Sequence, residues 1–329
     1  MTSTSGDPET PAPERLPGNV LVIGACGQLG LELVAALRQR YEPRCVVAAD
    51  VRPPKDEHLL HDGPFELLDV LDRTRLDKLL RQYRPGQVYH LAALLSATAE
   101  KNPLFGWQLN MDGLLNVLEA AVAHGIGQVY WPSSIAVFGP DTPRQHTPQL
   151  TVMNPNTVYG ISKVAGEQWC EWYHRKHGLD VRSLRYPGLI GYKSLPGGGT
   201  TDYAVDIYHK AAAGQPYECF LEAGTYLPMM YMPDALRATL DLMHAPAERI
   251  KIRTSYNLGG MSFAPEQVAA SIQRHRPDFQ ISYAPDQRQA IANSWPASID
   301  DTAARQDWGW QPQYDLDRMT ADMLLHLGR

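Results

Sequence analysis

A chain of 329 residues that is 44% hydrophobic and 20% charged carries enough apolar surface for a large core, as one big α/β domain or as a domain with an attached lobe. Its net charge of -6 gives no reason to expect nucleic acid or an anionic membrane as a partner. Cys26, Cys45, Cys170 and Cys219 are scattered, with no CxxC pair and no Cys/His cluster, which argues against a zinc site or a disulfide framework and suits a reducing cytoplasm.

The opening stretch MTSTSGDPETPAPERLP lacks the basic and apolar regions of a secretory signal, and its Pro, Ser, Thr and acidic residues cannot bury enough surface to order it. Residues 1–17 are expected to be a flexible leader. Structure is expected to start at Asn19, where NVLVIG is a short apolar run followed by the helical periodicity of LGLELVAALRQRY (29–41). CVVAAD (45–50) reads as a strand, RTRLDKLLRQY (73–83) as a helix, QVYHLAAL (87–94) as a strand and residues 104–124 as a long helix. QVYWPSS (128–134), a helix over 158–177 and DVRSLRYP (180–187) complete the series. No apolar run reaches the ~18–20 residues that cross a bilayer, so no membrane span is expected.

Strands apolar on both faces and alternating with helices predict a Rossmann-type α/β fold, a doubly wound parallel sheet covered on both sides. No period of about 20–50 residues repeats, which excludes a solenoid. Beyond residue 187 the loop-rich stretches LPGGGTTDY, AGTYLPMMYMPDAL and YNLGGMSFAPEQ predict a smaller C-terminal lobe. Residues 18–187 are expected to form the Rossmann domain and residues 188–329 mainly a substrate lobe. The two are interleaved, because YNLGG can return a strand to the main sheet.

GACGQLG (24–30) joins the first strand to the first helix with G-x-x-G-x-x-G spacing. Such glycines let the backbone turn tightly and approach a pyrophosphate, while the helix N-terminus offers unpaired N–H groups and a positive dipole end. Tight strand-to-helix turns also use glycine for steric reasons alone; the position at the first βα junction is what points to a dinucleotide, with Gly24, Gly27 and Gly30 as contacts. Asp50, at the end of the second strand, can accept both ribose hydroxyls of NAD and would repel the 2′-phosphate of NADP. The alternative for Asp50 is a turn cap, and Arg52 nearby works against a strict preference for NAD.

TVYGISK (157–163) sets Tyr159 and Lys163 one helical turn apart on one face. A phenol with a pKa of about 10 is a poor base at neutral pH. An adjacent ammonium, helped by a positive nicotinamide ring, favours the phenolate and suits proton removal from an alcohol whose hydride leaves for NAD. The pair occurs often by chance on amphipathic helices, and the upstream glycine loop gives it meaning. A third hydroxyl is expected from Ser133 or Ser134 in WPSSIAVFG (131–139), one of which can serve only its turn.

GACGQLG, HLAAL, SSIAVFG, YGISK and RYPG, in that order, resemble the extended short-chain dehydrogenase/reductase family. The resemblance implies Ser134 as catalytic hydroxyl, Tyr159 as base and Lys163 as its partner. It further implies cofactor contacts from Gln28 and Leu29, Asp69 and Val70 near adenine, Leu91 and Ala92 beside the ribose, Asn110 in a supporting network and Leu189 near nicotinamide. Dehydratases of the family carry Thr-Asp-Glu where this chain has Ser134-Ile135-Ala136, which disfavours water elimination. A nucleotide-sugar epimerase remains the alternative, although YLPMMYMPDAL holds no arginine before Asp234 and Arg237 falls on the following helix. A non-catalytic NAD-sensing scaffold would need a broken catalytic set, and this set is complete.

The stretches 185–211, 226–236 and 294–301 are similar to the L-threonine 3-dehydrogenase branch of that family. This implies NAD-dependent oxidation of the β-hydroxyl of L-threonine to L-2-amino-3-oxobutyrate, without a metal, by a homodimer built through the helices at 104–124 and 158–177. A zwitterionic amino acid needs donors for its carboxylate and acceptors for its ammonium. GGGTTD (197–202) offers backbone N–H groups, the Thr200 and Thr201 hydroxyls and the Asp202 carboxylate, or else is an ordinary surface loop. Ser96 is the other candidate on the substrate side. Trp295 is either a lid or lobe core. His174 and His177 read as a solvated last turn, His90 as structural, and Cys26 as a small side chain in a tight loop.

Overall fold

The structure, a computed structural model, describes residues 18–197 and 199–328. The expected leader at 1–17 and Gly198 of the glycine loop lie outside the described residues. The first half runs β1 (Asn19–Ile23), α1 (Gln28–Arg40), β2 (Val46–Asp50), α2 (His58–His61), β3 (Phe65–Leu67), α3 (Arg73–Tyr83), β4 (Pro85–His90), α4 (Ser96–Lys101), α5 (Pro103–His124), β5 (Gln128–Tyr130), β6 (Ser133–Ser134), α6 (Val158–His177), β7 (Asp180–Arg182) and β8 (Leu184–Tyr186). The second half runs β9 (Gly188–Ile190), α7 (Tyr203–Ala212), β10 (Tyr217–Cys219), β11 (Leu227–Tyr231), α8 (Met232–His244), β12 (Tyr256–Asn257), β13 (Met261–Phe263), α9 (Pro265–Gln273), β14 (Ile281–Tyr283), α10 (Arg288–Asn293), α11 (Thr302–Trp308) and α12 (Leu316–Leu327).

Six parallel strands in the order β3-β2-β1-β4-β5-β7 form the main sheet, with the order reversing at β1. One face is covered by α1 and α8, through Leu33, Val34, Leu37, Leu242 and Met243. The other is covered by α3, α5 and α6, through Leu76, Leu79, Leu114, Val117, Leu118 and Tyr173. The fully buried strands β1 and β2 explain their unbroken apolar runs. Helix starts follow their caps: Asp72 accepts from Arg75 N at 2.9 Å to open α3, and Thr157 accepts from Gly160 N at 3.0 Å to open α6.

Two expected strands are each divided. QVYWPSS breaks into β5 and β6 around Pro132, which has no N–H for a ladder bond, and DVRSLRYP breaks alongside it at Ser183 into β7 and β8. QVYHLAAL is strand only as far as His90. The returning segment YNLGG does pair with the first half, but as β12 beside β8 in a separate sheet β12-β8-β6, not in the six-stranded sheet. The lobe has its own core of Tyr203, Tyr208, Met229, Tyr231, Ile272, Met319 and Met323, into which the first half sends Ile135 to Phe138. Among the described residues no helix is long and apolar enough to cross a membrane.

Candidate active site

Ser134 ends β6 and Tyr159 opens α6, and one close approach brings them together. A Cβ on Gly160 would lie 2.2 Å from the Ala136 carbonyl oxygen, so only glycine lets α6 press onto the 3-10 turn Ile135–Val137 that follows Ser134. The Ser134 hydroxyl lies on the phenol side of Tyr159, where it favours the phenolate, and Ser134 Oγ accepts from Ala136 N at 3.2 Å. Its neighbour Ser133 is 2% exposed and turns the other way, donating to Glu167 at 2.6 Å. The two serines point to opposite sides, as successive residues of a strand do, and only Ser134 is on the side of Tyr159.

The Lys163 ammonium is turned toward the backbone that precedes β6. Its Nζ donates to the Pro132 carbonyl at 2.6 Å and lies 4.2 Å from the Trp131 ring centroid and 5.5 Å from that of Tyr159. Burial pushes Tyr159 up to about 12, with the Ser134 hydroxyl pulling it back, and burial pushes Lys163 down to about 7. Both groups sit where the charged form is poorly solvated, and that cost outweighs their spacing. His90, 1% exposed at the end of β4, has no hydrogen-bond partner on either ring nitrogen and is lowered to about 3 by burial and the Lys163 charge. It is a neutral imidazole.

Asn110, on α5, is buried; it accepts from Leu94 N at 2.8 Å and donates to Ser162 Oγ at 3.1 Å, and Ser162 donates to the Tyr159 carbonyl at 2.7 Å. That chain ties the backbone of Tyr159 to α5. Glu167 and Arg185, a buried pair at 2.7 Å, also border the site and were missed from sequence. The signal was there, since Glu167 lies one turn beyond Lys163 on the same helix face and Arg185 belongs to the RYPG stretch.

The glycine loop lies between β1 and α1, at the point where the strand order reverses. A Cβ on Gly30 would lie 2.2 Å from the Gly24 carbonyl, so the loop folds onto the helix only with glycine there. Gly27 is the N-cap of α1, no side chain caps that terminus, and the first turn, with Gln28 and Leu29, contains no acid. The buried Asp50 carboxylate accepts from Cys26 N at 2.9 Å and Arg52 N at 3.1 Å, while the exposed Arg52 guanidinium stands 3.8 Å away. Burial, then Asp50, raises the Cys26 thiol to about 11, so it is no thiolate. Leu91 and Ala92 follow β4 beside the loop, with Leu91 N donating to Ile23 O at 2.8 Å. Asp69 is exposed and accepts from Leu71 N at 2.9 Å; Val70 is buried and Leu189 half-buried on β9.

On the other side, Thr201 packs against Gly188 at the start of β9, and Thr200 is buried. Asp202 Oδ2 accepts from Gly197 N at 2.7 Å and Gly199 N at 2.8 Å, so the carboxylate shapes its own loop. Ser96 opens α4 and is half-buried. Trp295 is 6% exposed within the lobe core, which makes it packing and not a lid. Arg237 bonds Asp234 and the Gln311 carbonyl. His174 bonds the Leu179 carbonyl, and His177 meets Trp172 edge-on and Tyr173 at a tilt. Among the described residues no group of three or more His, Cys, Asp and Glu is placed to hold a metal.

The profile of the NAD dependent epimerase/dehydratase family matches residues 20–259. The chain belongs to that family. This epimerase/dehydratase-family chain is 50% identical over 306 residues to an uncharacterized epimerase/dehydratase of Staphylococcus saprophyticus, spanning 93% of this chain and 95% of the relative. It is similar to the solved structure of a GalE-like L-threonine dehydrogenase from Cupriavidus necator in its holo form, at 57% identity and a TM-score of 0.92, over 94% of this chain and 99% of that one. It is also similar to a monomeric L-threonine 3-dehydrogenase from a metagenome database, at 47% identity and a TM-score of 0.90, over 94% and 98% of the two chains. The uncapped terminus of α1, the folded glycine loop and the carboxylate closing β2 fit the NAD on which the family depends.

Proposed function

We propose that this chain is an NAD-dependent L-threonine 3-dehydrogenase, oxidising the β-hydroxyl of L-threonine to L-2-amino-3-oxobutyrate. The observation that carries the reading is the half-buried Tyr159, with the Lys163 ammonium 5.5 Å from its ring centroid and the Ser134 hydroxyl on its phenol side, in a chain 57% identical to an L-threonine dehydrogenase. NAD, when bound, supplies the hydride acceptor and a positive ring whose charge offsets the burial of Tyr159.

Every other part falls to the protein. Ser134 holds the substrate oxygen. Tyr159, as phenolate, takes its proton while the hydrogen on the β-carbon leaves as hydride and the carbonyl forms. Lys163 holds the strand through Pro132 and presents its charge to the ribose. Asn110 steadies the first turn of α6. Gln28, Leu29 and the glycines 24, 27 and 30 would cradle the pyrophosphate of NAD, Asp50 would take the ribose hydroxyls, Asp69 and Val70 would serve the adenine, Leu91 and Ala92 the ribose and Leu189 the nicotinamide. Ser96, Thr200 and Thr201 serve the amino acid, with Asp202 accepting its ammonium through the oxygen opposite the one that holds the loop.

Absorbance of NADH on adding L-threonine tests the reading. Turnover is expected with L-threonine, with little from D-threonine or L-allo-threonine; no NADH from any β-hydroxy amino acid would overturn it. Asp50→Ala is expected to raise the KM for NAD about tenfold or more and narrow the preference over NADP, as one charge-assisted hydrogen bond to ribose is worth about 1.5–3 kcal/mol. Unchanged cofactor kinetics would remove Asp50 from the ribose.

Four free thiols agree with a cytoplasmic enzyme. We further propose a homodimer. The helices α5 and α6 leave Leu104, Phe105, Trp107, Ile161, Trp169 and Trp172 exposed, an apolar face that a second copy would bury. Sedimentation should show a dimer for the native chain and a monomer for Trp172→Glu; a native monomer at about 10 µM, a concentration at which a stable dimer stays associated, would sink this part alone.

A further inference from the structure

The catalytic reading leaves Glu167, fully buried on α6, without a task. Its Oε1 accepts from the Ser133 hydroxyl at 2.6 Å and from Arg185 Nε at 2.9 Å, and its Oε2 accepts from Arg185 Nη2 at 2.7 Å. Arg185 on β8 is anchored in turn, donating through Nη1 to the Gln149 carbonyl and to Asn257 Oδ1 on β12, both at 3.0 Å. One turn earlier on α6, Lys163 donates to the carbonyl of Pro132. The two residues that precede Ser134 are therefore each gripped by a side chain of the helix that carries Tyr159. Ser134 needs such a grip, because β6 is only two residues long and runs straight into a 3-10 turn.

We propose that Glu167 is a positioning residue for the reaction: by holding Ser133 against the Arg185 pair, it sets the hydroxyl of Ser134 against Tyr159. The inference rests on the reading of Ser134 and Tyr159 as the groups that meet the substrate oxygen. An ion pair placed only for stability would need nothing from Ser133, since Arg185 already meets both oxygens of Glu167. Glu167 has a second effect on the site. Burial lowers Lys163, and Cys170 and Glu167 on its own helix pull it back up. The other groups facing that ammonium, Tyr159 while it is protonated, the Trp131 ring and the neutral His90, carry no opposing negative charge.

A double-mutant cycle on the purified full chain tests the role. Ser133→Ala leaves the Glu167–Arg185 pair whole, and it is expected to lower kcat about 30-fold while the KM for NAD stays within about twofold, because a displacement near 1 Å can cost ~100-fold. In a Ser134→Ala background the same change should lower kcat less than about twofold, since the grip then has nothing to position. Ser133→Cys, which keeps the volume and a weak donor, should fall between the two. Full kcat in Ser133→Ala, or losses that multiply through the cycle, would overturn the positioning role and leave the catalytic reading standing. Full turnover in Ser134→Ala would instead remove the catalytic reading, and this inference with it.

Discussion

Tyr159→Phe is expected to lower kcat about 1000-fold while NAD binding, followed by protein fluorescence quenching, stays within about twofold. The ring that packs on the lobe core is kept and only the oxygen is lost. General bases contribute about 100- to 10,000-fold, so a 1000-fold loss corresponds to about 4 kcal/mol of barrier. The pH dependence follows from the same group. A phenol raised to about 12 is almost wholly protonated at pH 7, and in the proposed mechanism the active form is the deprotonated one. Activity should therefore climb with pH, by up to about tenfold per unit, with any plateau set by how far the positive ring lowers Tyr159 in the complex. Lys163, lowered to about 7, loses charge over the same range and flattens the climb. A variant that keeps more than about a tenth of native turnover, or a native profile that falls from pH 7 to pH 9, would contradict Tyr159 as the base.

Gly30→Ala should cost nearly as much by another route. The new Cβ would stand 2.2 Å from the Gly24 carbonyl oxygen and 2.9 Å from the Ala25 Cα, both backbone atoms with no freedom to swing aside. Either α1 moves off β1 or the glycine loop opens. The expected result is a KM for NAD raised about 100-fold, with a melting temperature lowered by roughly 5 °C, as overpacking costs about 1–3 kcal/mol. Gly27→Ala is the control, because its Cβ would meet only the Gly24 carbonyl at 3.3 Å, and it should raise that KM less than about tenfold. If both variants bound NAD as the native chain does, the loop would not be the cofactor cradle.

Much of this was legible without coordinates. The helices at 73–83 and 158–177 have the bounds expected from the sequence, and in the structure Asp72 and Thr157 cap their starts through bonds within one turn. The parallel sheet followed from strands apolar on both faces, and the glycine loop from spacing at the first βα junction. Two of the misplacements share one cause. QVYWPSS and DVRSLRYP read as single strands, yet both break where Pro132 interrupts the ladder between them, and only the pairing of two distant segments carries that break from one to the other.

By itself the sequence determined what lies close along the chain: the order of elements, the glycine loop at the first βα junction, the serine pair, and the phenol one turn from a lysine. The tertiary structure decided everything that depends on burial from several sides at once. It sent Ser134 toward Tyr159 and Ser133 toward Glu167, packed Trp295 into the core, and turned Lys163 toward Pro132. It also left Tyr159 high and Lys163 low, because the cost of desolvating a charge is set by atoms far away in sequence, which no local spacing records.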